Sequence, residues 1–170
     1  MKVIAFDWGH TLMDERRTTA AALAEGVVHL MPDVLDVLPR LSVPLAVWTN
    51  TRTGREADVR EWFELAGIEQ WFTWIATSVD AGARKPRPAF FEFALRQCGL
   101  AKEDVLFVGN QLNTDVRGGE AFGIRTVWLS GAAYRSEDDD RAEAGRPTYE
   151  IERLRDLPAL VERIRRRPVV

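Results

Sequence analysis

Apolar residues fall along this chain in short dense runs, separated by longer stretches with a helical rhythm. Five runs, at residues 3–6, 45–48, 74–76, 105–108 and 124–129, are rich in apolar residues without strict alternation. A strand with one wet face alternates apolar and polar positions, so runs of this kind predict strands buried on both faces. Between them, residues 53–66 set Val59, Trp62, Phe63 and Ala66 on one helical face and stop at Gly67. Residues 88–97 do the same with Phe90, Phe91, Ala94 and Leu95, between Pro88 and Gly99. Proline in a first turn and glycine just past the last are helix start and stop signals. Residues 151–167 read as a strand end followed by a closing amphipathic helix with an arginine-rich outer face. Strand and helix in alternation predict an α/β protein: a parallel sheet of about five or six strands between two helical layers, a three-layer α/β/α sandwich.

A length of 170 residues suits one domain over 1–170, large enough to bury a sizeable core. Within it, residues 136–147 carry Asp138, Asp139 and Asp140 and read as a solvated charged loop, because adjacent carboxylates on a loop converge poorly on one ion. The net charge is -3 and no long basic stripe occurs, which disfavours nucleic acid and anionic membrane as partners. No apolar stretch approaches the roughly 18 residues of a membrane span, and Asp7 interrupts any leader-like core at the start, so a cytoplasmic protein is expected. The single cysteine, Cys98, excludes an internal disulfide and a cysteine-rich zinc site and reads as a packing residue. Arginine outnumbers lysine 20 to 3, which makes each lysine more informative.

Ligands of open parallel sheets bind beyond the carboxyl ends of the strands, where the strand order reverses. The residues following each predicted strand are therefore candidates: Asp7 after the first, Thr49 and Asn50 after the second, Arg84-Lys85-Pro86 beyond the third, and Asn110, Asn113 and Asp115 after the fourth. Carboxylates, a hydroxyl and an ammonium on one edge suit a phosphoryl group with a divalent cation. Asp7 would be the nucleophile, oxygen ligands would hold Mg²⁺, and Thr49 and Lys85 would meet the phosphate oxygens. Trp8 and Trp48 neighbour this edge, but strand alternation points them into the core.

The segments FDWGHTLMD, AVWTNT, RKPRPAFF, VLFVGNQLNTD and GGEAFGIRTVWL, in this order, resemble the haloacid dehalogenase (HAD) superfamily of hydrolases. The resemblance implies a Rossmann-like core in which Asp7 attacks phosphorus and forms an aspartyl-phosphate, with Mg²⁺ as cofactor. It further implies Thr49 and Asn50 as the phosphate-binding pair, Lys85 as their cationic partner, and Asp7, the Gly9 carbonyl, Asn110 and Asp115 around the metal. The chain departs from the family pattern where Gly9 stands for a second aspartate, His10 for a glycine and Asn110 for an aspartate. A positioned acid/base contributes about 10²–10⁴-fold, so its loss at position 9 predicts attenuated turnover, with a burst as the covalent intermediate accumulates. His10 is a candidate replacement, since imidazole titrates near neutral pH.

Substrate choice in this superfamily usually resides in a cap domain, and residues 13–32 leave room only for a short flap or linker. The resemblance is therefore to capless members, which act on large substrates, including phosphoproteins, or borrow a cover from another subunit; for this chain a phosphorylated small molecule or a phosphoprotein is expected, and the oligomeric state is left open. Two relatives fit less well. Phosphonoacetaldehyde hydrolase uses a cap lysine, whereas no lysine lies between Lys2 and Lys85, and haloacid dehalogenation needs an enclosed, metal-free pocket. Two readings follow: a Mg²⁺-dependent hydrolase, a phosphatase of attenuated activity, or a degenerate member that binds a phosphorylated ligand or partner without turning it over.

Overall fold

A computed structural model describes residues 1–135 and 144–166. Its elements, in order, are β1 (Val3–Phe6), α1 (Ala20–Ala24), α2 (Val34–Val37), β2 (Leu45–Thr49), α3 (Glu56–Leu65), β3 (Phe72–Thr77), α4 (Ser78–Ala81), α5 (Pro88–Cys98), β4 (Val105–Gly109), α6 (Arg117–Phe122), β5 (Arg125–Leu129), β6 (Tyr149–Ile151) and α7 (Leu157–Arg166), joined by turns and short 3₁₀ segments. The six strands form one sheet in the order β3-β2-β1-β4-β5-β6, and every pairing is parallel. From β1 the chain runs outward through β2 to β3, then returns to place β4 on the other side of β1. The strand order reverses between β1 and β4, and the crevice that such a reversal opens lies beyond the end of β1.

Burial follows from the apolar runs. All residues of β1, β2 and β4 are buried, because helices cover both faces of the sheet. Alternate residues of β1 divide between two cores. Ile4, Phe6 and, past the strand, Trp8 join Val59 and Phe63 of α3 and Leu157, Leu160 and Val161 of α7. Val3 and Ala5 face the other way, with Phe90, Phe91 and Ala94 of α5 and Phe107 of β4. Aromatic rings carry much of this packing, with centroids 4.7 Å apart for Trp8–Phe63 and 5.4 Å for Trp48–Phe107. Full burial of a side chain this size contributes about 1.5–3 kcal/mol. Trp8 and Trp48 are thus core residues, and Cys98 is buried as a packing group.

Helix limits differ from the sequence pattern where long-range hydrogen bonds intervene. The segment 53–66 becomes helical only from Glu56, because Thr51 is held in a turn: its hydroxyl donates to the Gly54 carbonyl and its N–H to Ser78 Oγ at 3.0 Å. Asp58 then caps the helix start by accepting from the Arg55 N–H at 2.7 Å. Gly67 and Gly99 end α3 and α5 with φ of 69° and 64°. Residues 13–32 form a compact flap with the five-residue α1, closed at its base by a bridge between Met13 and Leu30 and by the Asp14 N–H donating to the His29 carbonyl at 2.8 Å. Of the segment 136–147, residues 136–143 lie outside the described residues. Its end rests on the protein, with the Gly145 N–H donating to the Leu112 carbonyl at 3.0 Å. Among the described residues no helix is long and apolar enough to cross a membrane.

Candidate active site

Asp7 follows β1 directly, and its N–H donates to the Val108 carbonyl of β4 at 2.8 Å, which keeps its backbone in the sheet. The chain then turns sharply: the Trp8 carbonyl accepts from the N–H groups of Thr11, Leu12 and Met13 at 3.3, 3.0 and 2.9 Å. The turn requires a left-handed residue at position 10, where His10 adopts φ 56°. A glycine takes that conformation without strain, so the residue type expected from the family pattern has a backbone reason.

Lys85 sits at the centre. Its side chain is 1% exposed, and its Nζ donates to Asp7 Oδ1 at 2.6 Å, to the Trp48 carbonyl at 2.7 Å and to Asp115 Oδ1 at 2.8 Å. An ammonium has three protons, and all three are used. The Phe107 ring lies beneath it, 5.1 Å from Nζ to centroid. Asn50 fixes the lysine backbone from both sides, its Nδ2 donating to the Lys85 carbonyl at 3.1 Å and its Oδ1 accepting from the Lys85 N–H at 2.9 Å. The Lys85–Pro86 peptide is cis, and α6 closes over it with Gly118, where a Cβ would lie 2.9 Å from Pro86 Cα and 2.8 Å from the Phe91 ring.

Asp115 belongs to a wide π-helical turn, Leu112–Val116, and its Oδ2 accepts from the Gln111 N–H at 3.1 Å. Gly109 makes room for it, since a Cβ there would come within 2.6 Å of the Asp115 Cβ and Cγ. Asn110 is oriented by donating from Nδ2 to the Tyr134 carbonyl at 2.7 Å, which turns Oδ1 toward the Thr11 hydroxyl, 3.2 Å away. The same hydroxyl lies 3.4 Å from Asp7 Oδ2. Asp7 Oδ2 and Asn110 Oδ1 therefore meet around one hydroxyl.

The electrostatics follow from burial. Desolvation pushes the Asp7 carboxyl up to about 7, with the Lys85 ammonium pulling it down and the Asp115 charge raising it further. Burial alone would lower Lys85, but the Asp115 and Asp7 carboxylates outweigh it and hold the ammonium above its ordinary range. The lysine is charged at any physiological pH.

Residues 82–157 match the HAD-hydrolase-like family. Over 108 residues the chain is 32% identical to glyceraldehyde 3-phosphate phosphatase of Methanopyrus kandleri, covering 62% of this chain and 46% of that one. The chain belongs to the HAD superfamily. It spans about half the length of the curated relatives it matches. Among solved structures, an uncharacterized protein from Listeria monocytogenes serotype 4b superposes with TM-score 0.83 at 22% identity, over 98% of this chain and 100% of that one. The HAD-hydrolase YfnB from Bacillus subtilis superposes with TM-score 0.75 at 18% identity, over 94% and 98%.

Of the residues that the HAD pattern singled out, the fold brings Asp7, Lys85 and Asp115 into direct contact and sets Asn110 beside them through Thr11. Thr49 is buried at the end of β2. The Asn50 side chain is bonded on both sides to the Lys85 backbone, which leaves one Nδ2 proton and its own backbone N–H for a phosphate. His10 is buried and faces Glu15 across 3.4 Å, from Nε2 to Oε2. The Thr11 hydroxyl escaped the sequence reading although it lies within the first motif; a threonine one residue past the turn was its only signal.

Proposed function

We propose that this HAD domain is a phosphatase in which Asp7 attacks the phosphorus of a phosphorylated small molecule. The observation that carries the reading is the buried Lys85 ammonium between Asp7 Oδ1 and Asp115 Oδ1, at the strand-order reversal. It holds the nucleophile in one rotamer and places positive charge where a phosphoryl oxygen gains negative charge. An Asp7 oxygen forms the new P–O bond, the bond to the leaving oxygen breaks, and that oxygen takes up a proton. Water then attacks the phosphorus of the aspartyl-phosphate, which frees inorganic phosphate and restores Asp7.

The oxygens present fit Mg²⁺. Asn110 is locked with Oδ1 toward Asp7 Oδ2 and both are hard ligands; the resemblance implies the Gly9 carbonyl as a third. Asp115 accepts from Lys85 and from the Gln111 N–H, and its remaining lone pairs would add a carboxylate oxygen beside the cation. Among the described residues no cluster of three or more His, Cys, Asp or Glu side chains is placed to hold a metal. The cation would rest on a mixed set completed by water, with modest affinity. When bound, Mg²⁺ would neutralise charge on the transferring phosphoryl group. The B. subtilis YfnB structure is of that protein bound to magnesium.

The short flap supports an open site without a cap domain. A cavity of about 460 Å³ along residues 82–87 carries Arg52, Arg84 and Arg87 and is lined by none of Asp7, Asn110 and Asp115, so its positive charge neighbours the site without opening onto the nucleophile. Relatives are named as phosphatases of glyceraldehyde 3-phosphate and phosphoserine, which supports a small phosphorylated metabolite over a phosphoprotein. The test is release of p-nitrophenol from p-nitrophenyl phosphate with millimolar Mg²⁺. Activity that disappears on adding a chelator and returns with Mg²⁺ is the expected result. No catalysis, with phosphate-ester binding retained, would favour the non-hydrolytic reading, for which the neutral Asn110 speaks.

A further inference from the structure

Position 9 has no side chain, yet the space where one would project is filled. A Cβ built on Gly9 runs into Glu15 Oε1 and lies 2.7 Å from Glu15 Cδ and 3.3 Å from Oε2. The carboxyl group thus stands over the backbone two residues beyond Asp7, delivered there by the flap. The flap base holds it in place. On one side of Glu15 the Asp14 N–H donates to the His29 carbonyl at 2.8 Å; on the other, Arg16 bonds Asp14 Oδ1 at 2.9 Å and the Ala133 carbonyl at 3.0 Å. His10, in its left-handed turn, brings Nε2 to 3.4 Å from Glu15 Oε2.

Two features set this carboxyl apart from the others nearby. Asp7 and Asp115 are both tied to Lys85, whereas among the described residues Glu15 is in no ion pair with a lysine or arginine and meets only the His10 imidazole. Its side chain is also 54% exposed, so one side is open to an incoming group. Nucleophilic displacement at phosphorus leaves a proton to be delivered to the departing oxygen, and the second step leaves one to be taken from water. A carboxyl over the backbone two residues beyond the nucleophile, not neutralised by a lysine, is suited to both.

We propose that Glu15 is the proton-transferring catalytic residue of this site, its carboxyl occupying the space that a side chain at position 9 would take. The inference rests on the phosphatase reading above. As Asp7 attacks phosphorus, the P–O bond to the leaving group breaks and the Glu15 carboxyl gives its proton to that oxygen. In the second step the Glu15 carboxylate takes a proton from the attacking water while the bond between phosphorus and the Asp7 oxygen breaks. The proton that Glu15 gives in the first step is thus replaced in the second. His10 is a positioning residue, holding the carboxyl over Gly9.

The test compares kcat/KM for two substrates of similar size, p-nitrophenyl phosphate and benzyl phosphate. This ratio reports only steps through the first departure of a leaving group, so slow breakdown of the intermediate does not obscure it. Nitrophenolate leaves without help and benzyl alkoxide does not. Glu15→Gln is expected to lower kcat/KM for benzyl phosphate by about 10²–10³-fold and for p-nitrophenyl phosphate by less than about tenfold. Equal losses on the two substrates, or none, would overturn the assignment.

A second readout uses the shared space. Gly9→Asp alone places its side chain against Glu15 and is expected to give no gain on benzyl phosphate, whereas Gly9→Asp combined with Glu15→Ala is expected to recover at least tenfold over Glu15→Ala alone. Failure of the pair to recover would count against the idea that the two positions serve one space. Asp7→Asn, run in parallel, separates the hypotheses. Asp7-dependent activity indifferent to Glu15 sinks this proposal alone, and no Asp7-dependent activity at all sinks the phosphatase reading with it.

Discussion

Replacing Asp7 with Asn should reduce Mg²⁺-dependent phosphate release by a factor on the order of 10⁴ or more, because the amide lacks the oxygen that forms the covalent bond. The fold should survive. The amide that Asp7→Asn introduces keeps an oxygen to accept from Lys85, and the ammonium retains Asp115 and the Trp48 carbonyl. Stability against pH gives an independent signature, read without added metal. Burial raises the folded-state Asp7 carboxyl from 3.8 to about 7. Between those values the folded protein holds a proton that the unfolded chain has released, so this group's contribution to stability falls as pH rises through the window. An amide does not titrate and carries no such dependence. Thermal melts at pH 5 and pH 8 should therefore show Asp7→Asn gaining on the wild type at the higher pH. A variant that is inactive and also melts without cooperativity would have lost its fold, and its inactivity would say nothing about the nucleophile.

Lys85→Met carries the largest expected loss of stability. The side chain is of similar length, but it leaves Asp7 and Asp115 buried, adjacent and without the cation they share. Removing one partner from a buried charge pair costs about 3–5 kcal/mol, because the remaining charge is stranded in a poorly solvating medium. In urea this should move the unfolding midpoint down by about 1–2 M. The loss should be larger at pH 8 than at pH 5, where a carboxyl can take up a proton. Adding Asp115→Asn should return part of the stability, since it removes one stranded charge and the repulsion between the two. A double variant whose losses simply add would show that the two carboxylates do not communicate through Lys85.

The sheet was legible because a strand buried on both faces has to be apolar throughout, and few other elements are. The place of Asp7 was legible for a related reason: a polar residue just past such a run lies on the sheet edge, and Lys85 and Asp115 come after β3 and β4 and before α5 and α6, near enough to reach the same edge. What escaped was decided by partners distant along the chain. Nothing local tells that the Asn50 amide also brackets the backbone of Lys85, 35 residues later. The late start of α3 depends on Ser78, 27 residues beyond Thr51. Glu15 gives no local signal, since only the closure of the flap sets its carboxyl over Gly9. The replacement at position 9 was visible in the sequence, but the group filling the vacated space was not.

The π-helical turn at Leu112–Val116 makes the length of the loop part of its chemistry. The Gln111 carbonyl accepts from both Asp115 and Val116, at 3.1 Å each, so the turn holds one residue more than an ordinary helix would. The helix that follows cannot rotate to absorb a change, because Gly118 abuts the Phe91 ring and Gly119 the Thr126 methyl. Excising a single residue, Asn113 for instance, would tighten the turn and swing Asp115 by about 100° around the helix axis, away from Lys85. Every charged group of the site would still be present in such a chain, in the same order. Spacing is thus an inherited instruction in its own right, and a relative one residue shorter here would carry the full alphabet of the site without its grammar.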